Sequence, residues 1–195
     1  MRDAPSSLNP GPNTARTIKA FCGLCNDAYV AWRLHKGVFN GNLRTTKCDE
    51  FMRRLSSVTQ EYALHQIVKL HDPAVQSGGI NLTIDYVVDY GGWDTKTLRQ
   101  LERIRARLNR LPAQLKKARN KILSHNDLKA ILDGTDLGAF DKGLDDRYFR
   151  DLQSFVNIAH DRASSGPYPF DDLVNVDVRE FLGVIRSSRR TRRRR

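Results

Sequence analysis

The middle of the chain carries an apolar period that fits one type of secondary structure. Leucine or isoleucine recurs every three or four residues from Leu98 to Leu111, and basic side chains occupy many of the positions between. This spacing lines the apolar side chains along one face of an α-helix and directs the basic side chains to its other sides. The segment is therefore predicted to be an amphipathic helix that packs its apolar face against other helices.

Similar periods on both sides of this segment predict an all-α fold. A long third helix is capped by Asp94 or Thr95, and Pro112 should kink or divide it. The residues Gln76–Gly79 are predicted to form a loop, and Asn81–Tyr90 fits one or two helical turns better than the alternative, a short strand. The other predicted helices are Thr14–Phe39, Thr46–His71, Ala113–His125, Leu128–Leu132, Asp146–Arg162 and Val174–Ile185. Their apolar faces together predict an up-and-down helical bundle with additional C-terminal helices.

The length of 195 residues and a hydrophobic content of 39% are enough for one substantial core. We expect a single helical domain over Thr14–Ile185, between a disordered lead-in, Met1–Asn13, and a disordered arginine-rich tail, Arg186–Arg195. The lead-in has no apolar core of the kind found in a secretory signal, and no apolar run approaches the length of a membrane span. A cytoplasmic location with no membrane partner is the resulting prediction.

The three cysteines do not resemble a disulfide framework, because their number is odd and the chain is large. Cys22 and Cys25 form a CxxC pair, but they fall within a predicted helix, and only Cys48 and scattered histidines remain to complete a metal site. The sequence therefore predicts reduced thiols, no metal site and no cofactor.

The formal net charge of +11 is concentrated at the C-terminus, where Arg186–Arg195 holds seven arginines and no acid. Without that tail the charge falls to +4. Such a tail is attracted to nucleic acid and other polyanions without sequence preference, although a purely solubilising role fits equally well.

Arg119, Asn120 and His125 form the most compact group of chemically active side chains. Arginine is a permanent cation that suits phosphate oxygens, and histidine exchanges a proton near neutral pH, so the pair suggests metal-free phosphodiester chemistry. His125 continues an apolar helical stripe through Leu115 and Ile122, whereas Asn120 lies on a different face and would act indirectly. The same pattern also fits an amphipathic helix with a solvated arginine, and the seven residues alone favour that interpretation.

A cationic run precedes this motif and, within the run, only Glu102 is acidic. A cationic approach to an Arg/His pair is what a phosphate-backbone substrate requires, although a charge run is usually a solvated face. The run consists of Lys96, Arg99, Arg103, Arg105, Arg107, Arg110, Lys116, Lys117, Arg119 and Lys121. The candidate RNA contacts among these are Arg103, Arg107, Arg110, Lys116, Lys117 and Lys121.

A predicted helical bundle with Arg119-Asn120-x4-His125 late in a long helix resembles the HEPN superfamily, whose hallmark is arginine, a polar residue and histidine at this spacing. The segments Ala63–Pro73 and Asn81–Ile84, followed by the basic helix, are similar to its AbiU-like abortive-infection branch. The likeness covers roughly Thr14–Arg162.

The resemblance implies a metal-independent endoribonuclease, a toxin or phage-defence component that acts as a homodimer with one composite RNA cleft. Arg119, Asn120 and His125 would be its catalytic residues, with His125 moving protons, Arg119 stabilising the phosphorane and Asn120 orienting either partner. The implied product end is a 2′,3′-cyclic phosphate, and an antitoxin protein is an implied partner.

One departure from the family pattern bears on control. Some HEPN toxins have a tyrosine two residues after the histidine that a nucleotidyltransferase modifies, but this chain has Asp127 there. That mode of control is not supported, and Asp127 is a better candidate for the cap of the following helix. Because other superfamily members bind without cutting, a non-catalytic RNA- or partner-binding helical module is the alternative function.

Overall fold

A computed structural model describes residues 14–40, 49–76, 78–118, 141–164 and 166–192. Within these ranges the chain is almost entirely helical, which confirms the predicted all-α class. The helices are α1 Thr14–Asn40, α2 Asp49–Lys69, α3 Ile84–Tyr90, α4 Thr95–Leu108, α5 Arg110–Ala118, α6 Leu144–Ala163 and α7 Leu173–Arg192. None of these helices combines the length and the apolar composition needed to cross a membrane.

The segment before α3 differs from its predicted structure. Its loop contains a minimal antiparallel pair, β1 Val75–Gln76 and β2 Gly79–Ile80, with Val75 opposite Ile80. Gly78 has a φ of 80°, which a glycine adopts without strain, and this allows the tight reversal between the strands. Strands of two residues are too short to leave an alternating pattern. The helical interpretation of the following residues is confirmed by α3, which Thr83 caps by accepting a hydrogen bond from the Tyr86 amide.

The long basic helix is divided, as predicted, but the break lies before Pro112. Helix α4 ends at Leu108, and Asn109 closes its last turn by donating its backbone N–H to the Arg105 carbonyl at 3.0 Å. Pro112 then falls in the first turn of α5, where a helix does not need the N–H that proline lacks. At the start of α4, the predicted cap Asp94 accepts hydrogen bonds from two backbone amides.

A first compact unit comprises the described residues within 1–25 and 67–169. In it, α4 packs mainly against α6, with α3 and α5 beside α4. Leu101 and Leu152 are fully buried, and Phe155 meets Phe21 edge to face with ring centroids 5.9 Å apart. The core of this unit therefore lies between α4, which carries much of the basic run, and the helices α6 and α1.

A second compact unit comprises the described residues within 26–66 and 170–195. Gly37 of α1 lies against Val178 of α7 so closely that a Cβ at position 37 would be 2.6 Å from a Val178 methyl carbon. His35 is buried, and its Nδ1 lies 3.4 Å from the Thr59 hydroxyl of α2. Helix α7 continues to Arg192, beyond the end predicted at Ile185.

Candidate nucleic-acid interface

The predicted catalytic motif follows the last residue of α5. That helix ends at Ala118, and Arg119, Asn120, Lys121 and His125 lie outside the described residues. The short helix predicted for residues 128–132 lies outside them as well. The predicted RNA contacts Lys116 and Lys117 belong to α5, but their side chains are also outside the described part of the structure. The structure therefore positions the helix that leads into the motif.

The basic side chains of α4 are not equivalent. Arg103 is exposed, as a residue that contacts RNA must be. Arg105, in contrast, is only 26% exposed and pairs with Asp89 and Asp85 of α3, at 2.9 and 3.5 Å. The charge of Arg105 therefore joins α4 to α3 and contributes little to an exposed cationic surface.

Arg107 is also paired. Its Nε and Nη2 lie 2.9 and 2.8 Å from Asp151 Oδ1 on α6, which joins the two helices that form most of the first unit's core. The hydrogen bond from Asp151 raises the pKa of Arg107, so its cationic form is stabilised further. The predicted contact of Arg107 with RNA stays a prediction, and its charge is already balanced by a carboxylate.

A pocket of about 270 Å³ opens beside this ion pair, between α5 and α6. Its apolar wall is buried, and Arg110, Arg147 and Arg150 are exposed at its rim. Among the described residues, none of these three side chains forms an ion pair. The residues that line the pocket are Arg107, Arg110, Leu111, Leu144, Arg147, Tyr148, Arg150 and Asp151. The pocket therefore combines an apolar wall with three uncompensated guanidinium groups.

Hydrogen bonds hold the two sides of this pocket. Gln114 of α5 donates to Asp141 Oδ2 at 3.1 Å, and the Asp141 amide donates to Gln114 Oε1 at 3.2 Å. Gly143 follows with a φ of 77°, a left-handed conformation that suits glycine, and α6 begins at the next residue. The reciprocal pair thus fixes the entry of α6 relative to α5.

Tyr148 anchors the apolar wall through a chain of polar groups. His71 Nδ1 donates to Asn109 Oδ1 at 3.0 Å, which leaves the Nε2 of a neutral ring able to accept from the Tyr148 hydroxyl, also at 3.0 Å. Burial, together with nearby Cys25, raises the pKa of Tyr148 well above its ordinary value. Tyr148 therefore remains a protonated hydrogen-bond donor at neutral pH, and its ring is held in one orientation.

Sequence reasoning missed the two arginines of α6. Arg147 and Arg150 are three residues apart, which places them on one helical face, and this spacing was the available signal. The nearby acids Asp145, Asp146 and Asp151 obscured it, because they make the local charge appear balanced. The structure shows that Asp151 pairs with Arg107 of another helix instead.

The cysteine pair of α1 and the aspartate pair before α7 have contacts that are typical of structural roles. Cys22 and Cys25 are buried thiols in α1, and burial raises the pKa of Cys22 to about 11, so its thiol is protonated at neutral pH. Asp171 accepts a hydrogen bond from the Leu173 amide at 2.8 Å, as a helix cap does. Asp172 accepts one from the Tyr29 hydroxyl at 3.1 Å and lies 3.5 Å from Arg33.

Comparison with known proteins identifies the family. A search of curated proteins and a search of solved structures each gave no match. The HEPN family model described as AbiU2 matches residues 13–182, a range that contains α1 to α6, the first half of α7 and the whole Arg119-Asn120-x4-His125 motif. This chain therefore belongs to the AbiU2 family of HEPN domains.

Proposed function

We propose that this AbiU2-family protein is a metal-independent endoribonuclease of phage defence, which cleaves cellular RNA as a homodimer and so arrests growth. The observation that carries the proposal is the Arg119-Asn120-x4-His125 motif within the range that the family model matches. In the proposed dimer the motif helices of the two copies face one another and form one RNA cleft. An antitoxin that restrains this activity is part of the same proposal.

The proposed reaction is a transesterification within the RNA. His125 takes the proton of a ribose 2′-OH, whose oxygen attacks the adjacent phosphorus, and the protonated His125 then gives that proton to the 5′ oxygen as the P–O5′ bond breaks. Arg119 stabilises the charge of the phosphorane, and Asn120 orients one of the two groups. The products are a 2′,3′-cyclic phosphate and a 5′-hydroxyl, with no metal in the balance of the reaction.

The charges of the described residues support a phosphate-bearing substrate. Arg103 is exposed on α4, and Arg110 begins α5, the helix that ends one residue before Arg119. A polyanion bound along these helices is thus led toward the motif. Arg105 and Arg107 take less part in this attraction because carboxylates already balance them.

The proposal is tested with full-length protein, total RNA and tRNA in excess EDTA, with the cut ends mapped chemically. Wild type should cleave and leave cyclic phosphates, and His125→Ala and Arg119→Ala should lose about 10²–10⁴-fold of the rate, since proton transfer and charge stabilisation contribute on that scale. His65→Ala is the matched control, because His65 is exposed on α2 and has no proposed role. Equal cleavage by wild type and His125→Ala would exclude the proposed mechanism.

A non-catalytic RNA-binding module is the second candidate function. The pocket favours it, because three of its arginines have no ion-pair partner in the described part of the chain and binding of a polyanion there requires no reaction. This alternative predicts that neither wild type nor His125→Ala cleaves RNA and that both bind it equally. The cleavage assay and a binding assay on the same two proteins therefore separate the candidates.

A further inference from the structure

The arginine pocket between α5 and α6 concentrates positive charge that the described fold leaves unbalanced. Four arginines line it, and the single carboxylate among its lining residues, Asp151, is held by Arg107. Like charges at one site repel each other, so this arrangement lowers stability in the absence of a ligand, and a bound anion relieves the repulsion. The pocket thus has the electrostatics of an anion-binding site.

The positions of the free arginines suit a phosphate group. Arg147 and Arg150 lie one turn apart on α6, and Arg110 lies on the α5 side of the same pocket. Guanidinium groups offer paired N–H donors that match two phosphate oxygens, so donors from two helices can hold one phosphate from different sides.

The apolar wall narrows the choice of ligand. Leu111, Leu144 and Tyr148 are each at most 7% exposed, and the hydrogen bond with His71 fixes the Tyr148 ring. The small apolar surface that these side chains leave open lies beside the arginines, so it can contact a small uncharged part of a phosphate-bearing ligand, such as the sugar or the edge of the base of one nucleotide. The volume of about 270 Å³ is just below the roughly 300 Å³ at which small-ligand sites begin, so the pocket has room for no more than about one nucleotide unit.

We propose that this pocket binds one internal nucleotide of single-stranded RNA through residues other than Arg119 and His125. Arg110, Arg147 and Arg150 hold its phosphate, and the wall of Leu144 and Tyr148 receives its sugar or base. The choice of RNA as the ligand rests on the proposed function. A flat cationic surface would suit a membrane or a duplex backbone, whereas a concave site with an apolar wall suits a nucleotide whose base is free of a duplex.

The test measures binding without cleavage, using a fluorescent single-stranded oligonucleotide that is 2′-O-methylated throughout. Full-length wild type is compared with Arg147→Ala/Arg150→Ala over a series of salt concentrations. We expect the double variant to lose about tenfold in affinity at low salt and its salt slope to fall by about one to two. Because both side chains are exposed and unpaired among the described residues, its melting temperature should match that of wild type.

The matched control is Arg53→Ala/Arg54→Ala, which removes the same charge from α2. Both control arginines already pair with Glu50, at 2.8 and 2.7 Å. An equal loss of affinity in the two double variants would overturn the proposal, since net charge alone would then explain binding. Displacement of the oligonucleotide from wild type by a phosphoserine peptide at least as well as by unlabelled oligonucleotide would also overturn it.

The outcome is separable from that of the proposed enzyme activity. If wild type binds through the pocket but cuts no RNA, the ribonuclease proposal fails and the nucleotide site stands. If wild type cuts RNA in the His125-dependent manner while Arg147→Ala/Arg150→Ala binds normally, the site fails and the ribonuclease stands.

Discussion

Within each of the two compact units of this protein, the helices are held together by a partly different set of interactions. The first unit joins its helices with charged and polar pairs, Arg105 with Asp89 and Arg107 with Asp151, around a dense apolar core. The second unit also has an ion pair, Arg33 of α1 with Asp172 at 3.5 Å, but it adds the close approach of Gly37 to Val178 and a buried contact of His35 with Thr59. Changes of charge should therefore act mainly on binding by the first unit, and changes of packing mainly on stability through the second.

The surfaces of the two units differ in the type of side chain that they expose. The first unit presents the three pocket arginines that form no ion pair with any residue the structure describes, Arg110, Arg147 and Arg150. The second carries highly exposed apolar side chains, such as Phe39 and Leu173 at 70% and 68%. Binding by the first unit is thus expected to depend on charge and on salt concentration.

The largest effect is expected from an alanine at the close helix contact of the second unit. Gly37→Ala places a Cβ 2.6 Å from a Val178 methyl carbon, and such overpacking costs about 1–3 kcal/mol, partly offset by the better helix propensity of alanine. Gly23→Ala, in the same helix, is the control, because no described atom beyond the neighbouring backbone of that helix lies within 4 Å of its new Cβ. Urea unfolding should show Gly37→Ala less stable than Gly23→Ala, with oligonucleotide affinity unchanged in both. Equal stability of the two variants would contradict the close contact.

The next effect concerns the polar chain of the first unit. Tyr148→Phe removes the hydroxyl that donates to His71, which should cost about 1 kcal/mol, since a neutral hydrogen bond contributes roughly that much. Tyr62→Phe, at a side chain that is 51% exposed, should be neutral in the same unfolding assay. A Tyr148→Phe protein as stable as wild type would show that the His71 contact carries no net stability.

A smaller effect, which depends on pH, is expected from His35. Burial lowers its pKa below the ordinary value, so the folded state keeps the ring neutral where the unfolded chain takes up a proton. The stability that His35 contributes is therefore complete well above pH 6.5 and is lost as the pH falls below that value, by at most about 1.4 kcal/mol by pH 5.5. His35→Gln should flatten the pH dependence of unfolding between pH 7 and 5.5, whereas His65→Gln, at an exposed histidine, should leave it as in wild type.

Apolar periodicity was sufficient to predict the helices, because buried positions such as Leu101, Ile104 and Leu108 recur at helical spacing. The cap at Asp94 was also predictable, since the physics of a helix start is local. The two-residue strands could not be predicted, because their pairing depends on the φ of Gly78 and leaves no alternating pattern of apolar and polar residues in the sequence.

The arginine pocket could not be predicted from the sequence, for a different reason. Whether an arginine is free or balanced depends on which carboxylate it meets in space, and Asp151 is 44 positions from its partner Arg107. The sequence therefore identified Arg107 and Arg110 as equal candidates, whereas the structure balances one and leaves the other unpaired among the described residues.

The smallest change in stability is expected from Asp151→Asn, which tests most directly whether the charges of the first unit act on binding. Asp151→Asn keeps the shape of the side chain but removes the charge that balances Arg107, so a fold-stabilising arginine becomes a fourth free cation in the pocket. Because the two side chains are 44% and 23% exposed, solvent screens the lost ion pair, and the cost should be only about 0.2–1 kcal/mol.

Affinity for the 2′-O-methylated oligonucleotide should rise several-fold at low salt, with a salt slope steeper by about one. Asp161→Asn, at an exposed acid of α6 outside the pocket, removes the same charge and is the control. If Asp151→Asn and Asp161→Asn gained equal affinity, net charge alone would explain the effect, and it would not matter for binding whether an arginine is balanced or free.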